Sequence, residues 1–178
     1  MTSITVTARD ADDNALTVGG ATVVVTVTGS NSATPAVTDE DDGTYTASYT
    51  PTVAGSDNVV ITLGGVAVSG SAFTSTVAVG SASAAQSTAT VPNGTAGSVT
   101  SITVQARDAN GNALTVGGAT VVVTVTGSNS ATPTVTNVGN GTYTASYTPA
   151  SSGSDNVVIT LDAGAISGSP FTSTVAVP

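Results

Sequence analysis

The chain has 178 residues, of which 39% are hydrophobic, 3% aromatic and 7% charged, with a formal net charge of −9. Its two basic side chains, Arg9 and Arg107, are too few to neutralise phosphates, so nucleic acid and anionic membrane surfaces are excluded as partners. With neither His nor Cys, the chain has no imidazole base, thiol nucleophile, common zinc site or disulfide.

Taken in order, the elements alternate with period two, and no helical periodicity interrupts them. Ile4, Val6 and Ala8 alternate with Thr5 and Thr7, which predicts a strand ending at Arg9-Asp10. A turn follows through Asn14. After Gly19-Gly20, the side chains of Val23, Val25 and Val27 point one way, and those of Thr22, Val24, Thr26 and Thr28 the other. Short strands are predicted around Val37, residues 45–49, 59–63 and 73–79, separated by Gly43, Pro51, Gly55, Gly64-Gly65 and Gly70. A core of Val, Ile, Leu and Ala suits strand packing, and about six or seven short strands at this spacing predict an immunoglobulin-like sandwich.

Residues 81–98 come next. Ser81-Ala82-Ser83-Ala84-Ala85 is expected to be a flexible tether. Residues 86–91 are expected to form a strand before the turn Pro92-Asn93-Gly94, opening a second domain. From Thr100 the pattern starts again. Residues 2–80 align with 100–178 at a constant offset of 98, without a gap and with 62 identities in 79 positions. The chain thus divides into a domain of residues 1–80, lacking a counterpart of the opening strand, and a linker plus domain of residues 81–178. Tandem duplication at this fidelity is the habit of rods and fibres.

Both units resemble the filamin-type immunoglobulin repeat. The residues that carry the likeness are Ala106-Arg107-Asp108-Ala109-Asn110-Gly111-Asn112, Gly117-Gly118 and Gly139-Asn140-Gly141-Thr142-Tyr143. Tyr147-Thr148-Pro149, Gly153 and the closing Ile166-Ser167-Gly168-Ser169-Pro170-Phe171 complete the set. Bacterial surface-protein immunoglobulin-like repeats are similar too. Two departures stand out: Ala72 replaces the closing proline in the first unit. Asp57 and Asp155 stand where the family carries an aromatic residue. The resemblance implies an all-β chain of two tandem filamin-type sandwiches, whose strands C and D form a groove able to accept a peptide strand. Val24 and Val122, outward-facing on strand C, are the candidates for such addition; β-propensity alone also accounts for them.

Other chemistry is sparse. Asp10, Asp12 and Asn14, with Asp108, Asn110 and Asn112 in the second copy, present oxygen ligands on one side of a turn and are calcium candidates. Ala15 and Ala21 stand where an EF-hand needs glycine and its bidentate acid, and a self-capping turn explains the same residues. The acidic run at residues 39–42 allows paired carboxylates, but its copy reads Asn137-Val138-Gly139-Asn140, which argues against a glycosidase-like pair. Asn93 and Asn140 begin N-glycosylation triplets, and the many outward Thr and Ser are candidates for O-linked sugars. Without lysine, no Lys–Asn isopeptide bond can form.

These features predict no enzyme and no cofactor. They predict a structural module of an extracellular fibre or cell-surface stalk, assembling with itself head to tail through strand contacts. The alternatives are an intracellular filamin-like scaffold that binds partner peptides by strand addition, and an adhesin repeat. The stalk reading makes the expected location extracellular or cell-surface; no apolar stretch approaches the length of a membrane span and no signal peptide is visible, which keeps the cytoplasm as the alternative.

Overall fold

A computed structural model describes residues 1–178, and every regular element in it is a β-strand. The chain forms two compact units, Met1–Ala78 and Val79–Pro178. The first contains β1 (Thr2–Thr7), β2 (Val23–Gly29), β3 (Val37–Asp39), β4 (Thr44–Tyr49), β5 (Gly55–Leu63), β6 (Val66–Ala67) and β7 (Phe73–Val77). One sheet runs β1-β4-β3, and the other runs β2-β5-β6 with β7 also on β5. Val6, Tyr45 and Ala47 from one sheet meet Val25, Val27, Val59 and Ile61 from the other in a single core. The pattern that builds it is local: Val23, Val25 and Val27 are buried while Val24 and Thr28 face out. A one-residue slip would turn the whole set toward water, so alternation fixes the register.

The second unit opens with β8 (Thr88–Thr90) and β9 (Gly94–Thr95). The other strands of the second unit repeat those of the first: β10 (Thr100–Gln105), β11 (Val121–Gly127), β12 (Thr136–Asn137), β13 (Thr142–Tyr147), β14 (Gly153–Leu161), β15 (Gly164–Ala165) and β16 (Phe171–Ala176). Val23 pairs with Leu63 and Gly29 with Asp57, just as Val121 pairs with Leu161 and Gly127 with Asp155. The second unit differs by one added strand per sheet. Its sheets run β12-β13-β10-β8 and β11-β14-β16-β9, with β8 antiparallel to β10 and β9 parallel to β16.

Residues 81–85 correct the expectation of a flexible tether. Ala82 bridges Asp108, Ser83 N–H donates to the Arg107 carbonyl at 2.7 Å, and Ala82 and Ala84 pack against the core. Small side chains let the backbone lie close to the sheet, so the composition of a linker here belongs to a docked segment. The strand expected within 86–91 is present at Thr88–Thr90, and a further short strand at Gly94–Thr95 joins the other sheet.

Glycine is required at Gly43 and Gly141, which enter β4 and β13 with φ of 86° and 80°. A Cβ there would lie 2.1 Å from the Leu16 or Leu114 carbonyl oxygen. Only glycine allows that close approach in that conformation.

Candidate functional site

Two kinds of surface stand out: an open groove in the first unit, and the outer sheet edges. The groove lies beside β1 and has a volume of about 620 Å³, with Val6, Ile61, Leu63, Val68 and Phe73 among its lining residues and Arg9 and Asp13 beside them. The second unit shows what the fold can place there. Residues 82–90 lie along β10, where Thr88, Ala89 and Thr90 pair with Gln105, Val104 and Thr103. Ser87 is fully buried. Its hydroxyl donates to the Ser83 carbonyl at 2.7 Å and accepts the Arg107 N–H at 3.0 Å. Its own carbonyl accepts the Ser167 N–H at 3.2 Å.

This cover changes the burial of otherwise matching residues. Val104 is 1% exposed and Val6 9%. Ile102, Leu161, Ile166 and Val175 are buried, whereas Ile4, Leu63, Val68 and Val77 are only half-buried. Because Ala8 N–H donates to the Gly43 carbonyl, alternation points the N–H groups of Thr5, Thr7 and Arg9 away from β4, toward the groove. The floor is apolar and the wall carries backbone donors, which is the chemistry of a strand acceptor.

Val24 and Val122 sit on β2 and β11, the end strands of their sheets, and are 42% and 49% exposed. Each edge is partly occupied by its own chain, because Val27 bridges Ala33 and Val125 bridges Ala131. The stretch around Val24 and Val122 has no such bridge, which places both candidates beside an open ladder.

The Asp turns are organised around one carboxylate each. Asp10 Oδ1 accepts N–H groups from Asp12 and Asn14 at 3.0 and 2.9 Å, and the Asn14 amide donates to both oxygens. That Asn14 side chain holds the Asp10 carboxyl below its usual range. Asp108 accepts the same set from Asn110 and Asn112, and also Gly80 N–H at 2.9 Å. Led by the Asn112 side chain, these bonds outweigh burial and lower its pKa from 3.8 to about 2. Asn14 and Asn112 therefore act as donors to the acid rather than presenting oxygens alongside it.

The four acids at residues 39–42 are spread among separate local partners. Asp39 accepts Gly20 N–H at 2.7 Å, and Asp41 N–H at 3.0 Å. Glu40 accepts the Thr46 hydroxyl at 2.6 Å. Asp42 accepts the Thr44 hydroxyl and N–H, and that hydroxyl first of all holds its carboxyl below the usual range. They cap a turn. Asn93 and Asn140, the glycosylation candidates, are both exposed. Asn93 Oδ1 accepts Thr174 N–H at 3.0 Å, and Asn140 Oδ1 accepts Thr142 N–H at 3.1 Å.

Sequence reasoning missed the hub built on Asp57 and Asp155. Both are 1% exposed. Asn31 donates its N–H and side-chain amide to Asp57, and Tyr49 O–H donates to it at 2.9 Å. Asn31 Oδ1 in turn accepts the N–H groups of Thr52 and Val53. Asn129, Tyr147 and Asp155 repeat the arrangement, with Tyr147 O–H at 3.0 Å. Burial works against ionisation of Asp57, yet the Asn31 and Tyr49 donors hold its carboxyl below the usual range. Burial also raises the pKa of Tyr147, and Asp155 beside it raises it further, against the Ser173 hydrogen bond. The signal in the sequence was the retention of Asn, Tyr and Asp at matching places in both copies. These buried carboxylates pin loops to β5 and β14; they do not face a pocket.

Comparison with known proteins follows the same division. The sequence model of the Filamin/ABP280 repeat matches residues 1–74 and again 80–172. Among solved structures, the chain is similar to FdeC, an Escherichia coli adhesin, at 28% identity and a TM-score of 0.59, covering 98% of this chain and 59% of that one. InvD of Yersinia pseudotuberculosis is similar at 28% identity and a TM-score of 0.53, over 98% of this chain and 51% of that one. Invasin, a bacterial integrin-binding protein, shares the fold at 22% identity and a TM-score of 0.61, over 98% of this chain and 36% of its own. The chain thus spans less than two thirds of each of these structures.

Proposed function

The chain belongs to the Filamin/ABP280 repeat family, and from that premise we propose that it is a structural, non-catalytic module of a cell-surface stalk or extracellular fibre, joined head to tail through β-strand contacts. The observation that carries this reading is the likeness to an adhesin, FdeC, over 98% of the chain at 28% identity. A likeness that runs through both units favours a spacer over a single binding head. The near-identical tandem adds to it, since stacked copies of one unit span distance. The lack of His and Cys in the sequence argues in the same direction, and so does the use of Asp10, Asp39, Asp42, Asp57, Asp108 and Asp155 as turn caps or loop pins. Contacts between unlike ends of the same chain are heterologous and propagate as open filaments.

Electron microscopy of the purified chain over a concentration series tests the assembly. Rods that lengthen with concentration are the expected result, and monomers at every concentration would contradict it. A second reading, a scaffold that binds partner peptides, is favoured by the exposed Val24 and Val122 on open edge strands. It expects peptide affinity from a chain that stays monomeric.

A further inference from the structure

We propose that the contact between residues 92–97 and β16 bears the load when the chain is pulled, so that the second unit resists tension as well as spanning distance. The inference deepens the module reading and takes its purpose from it, by naming the contact that holds when a stalk is stretched.

Three observations place the load there. The first is direction. The chain enters the second unit at one end, where Gly80 N–H donates to Asp108 at 2.9 Å and Ala82 bridges the same residue. It then runs along β10 from Gln105 toward Thr103. It leaves past Ala176 at the opposite end, where Gly97 N–H meets the Pro149 carbonyl and Thr100 pairs with Tyr147. Because β9 and β16 are parallel, tension draws β9 back along its axis and β16 forward along the same line. The two strands must slide past each other, and their evenly spaced bonds are loaded together. Strands whose loaded ends lie side by side open one bond at a time instead.

The second observation is continuity. The Pro92 carbonyl accepts the Ser173 hydroxyl at 2.8 Å, and Asn93 Oδ1 accepts Thr174 N–H at 3.0 Å. Gly94 and Thr95 pair with Val175 and Ala176, and Ala96 N–H donates to the Ala176 carbonyl at 2.9 Å. Each residue from Pro92 to Ala96 thus has a partner on β16, although β9 itself is 2 residues long. The side chains of Asn93 and Ser173 lengthen the contact where the ladder stops. The third is closeness. A Cβ on Gly94 would lie 2.6 Å from Thr100 Oγ1 and 3.6 Å from Val175 Cγ2, and Ser173 and Val175 are buried. Hydrogen bonds set against a buried surface are stronger than those in water. Residues 83–90 are bonded to the other sheet and come away without opening the contact at β16, so that contact decides when the unit yields.

Single-molecule force spectroscopy on the full chain, held at its two ends, tests this. The second unit is recognised by its gain in length, roughly 360 Å against roughly 280 Å for the first. The variants are Asn93→Ala and Asn140→Ala. Each takes away an exposed Oδ1 that accepts one backbone N–H, from Thr174 at 3.0 Å and from Thr142 at 3.1 Å. Only the first of these bonds joins the strands through which the chain enters and leaves. At fixed force, Asn93→Ala should raise the unfolding rate of the second unit about fivefold, as one lost hydrogen bond allows, and Asn140→Ala should leave it unchanged. Without load, in denaturant, the two variants should unfold at similar rates. Equal effects of the two variants under force would overturn the assignment, as would no effect of Asn93→Ala. So would an effect of Asn93→Ala as large without load as with it, because the bond would then be an ordinary part of the fold. Each molecule is read singly, so these outcomes would leave the module reading in place, and a failure to form filaments would leave the load-bearing contact in place.

Discussion

The two units are an internal experiment, in which one sequence pattern is folded with and without a covering strand. Their shared strands pair in the same register, and the hub of Asn, Tyr and Asp is the same in both. What differs is the side of the sandwich next to β1 and β10. Residues 81–95 add β8 and β9, and the core beneath them goes from half-buried to buried. The lesson is that register and topology come from the alternation within each unit, whereas closure of the core comes from a segment whose first residues, 81–85, have the composition of a tether.

The largest expected effect tests closure directly. Ile102→Ala removes a fully buried side chain and should cost about 4 kcal/mol. Ile4→Ala, at the matching but half-buried position, should cost about 2 kcal/mol. Unfolding followed in each unit separately checks both, and equal losses would end the distinction. Next in size, Tyr49→Phe and Tyr147→Phe should each cost about 1–2 kcal/mol by taking a donor from a buried carboxylate. In the second unit Tyr147 is also bonded to Ser173, whose hydroxyl donates to the Pro92 carbonyl of the covering segment at 2.8 Å, so the loss at Tyr147 should be at least as large as that at Tyr49; chemical denaturation of each variant provides the measurement.

Acid sharpens the comparison further. Asp108 has a folded pKa of about 2 against an ordinary 3.8, so as pH falls the unfolded state takes up its proton first. Its contribution is whole above about pH 4 and is lost toward pH 2. The Gly80 N–H that helps hold Asp108 lies directly before the covering segment, and Asp108→Asn should flatten the acid limb of the second unit's melting temperature. Melting followed unit by unit across that range decides it, and an unchanged limb would remove Asp108 from the account. The smallest effect is expected at Val24→Thr and Val122→Thr. Exposed β-branched exchanges should shift stability by less than ~0.5 kcal/mol, while reducing any association that uses these edges, as sedimentation would show.

Much of the fold was legible because strands with one wet face write their geometry into alternation. Val23, Val25 and Val27 needed no more than their spacing, and the glycines at 43 and 141 marked turns that only glycine fits. The closing segment was legible only in its strand, expected at 86–91 and found at Thr88–Thr90; the docking of residues 81–85 was not. Ala82 and Ala84 bury methyl groups in a narrow groove, and a run of Ala and Ser there is indistinguishable by composition from a solvated tether. Asp57 and Asp155 were also opaque as single residues, since a buried carboxylate satisfied by neutral donors has no charged partner in the sequence to point to it. The acids at 39–42 looked like a cluster in the sequence, but Asp39, Glu40 and Asp42 are each turned to a separate local donor.

Residue-resolved amide exchange on the intact chain tests the central claim most directly. Thr103 and Gln105, under β8, should exchange at least ~100-fold more slowly than Thr5 and Thr7, whose N–H groups face the open groove. Equal protection at the two edges would contradict the account, because it would mean that the covering strand adds nothing to a unit already closed without it.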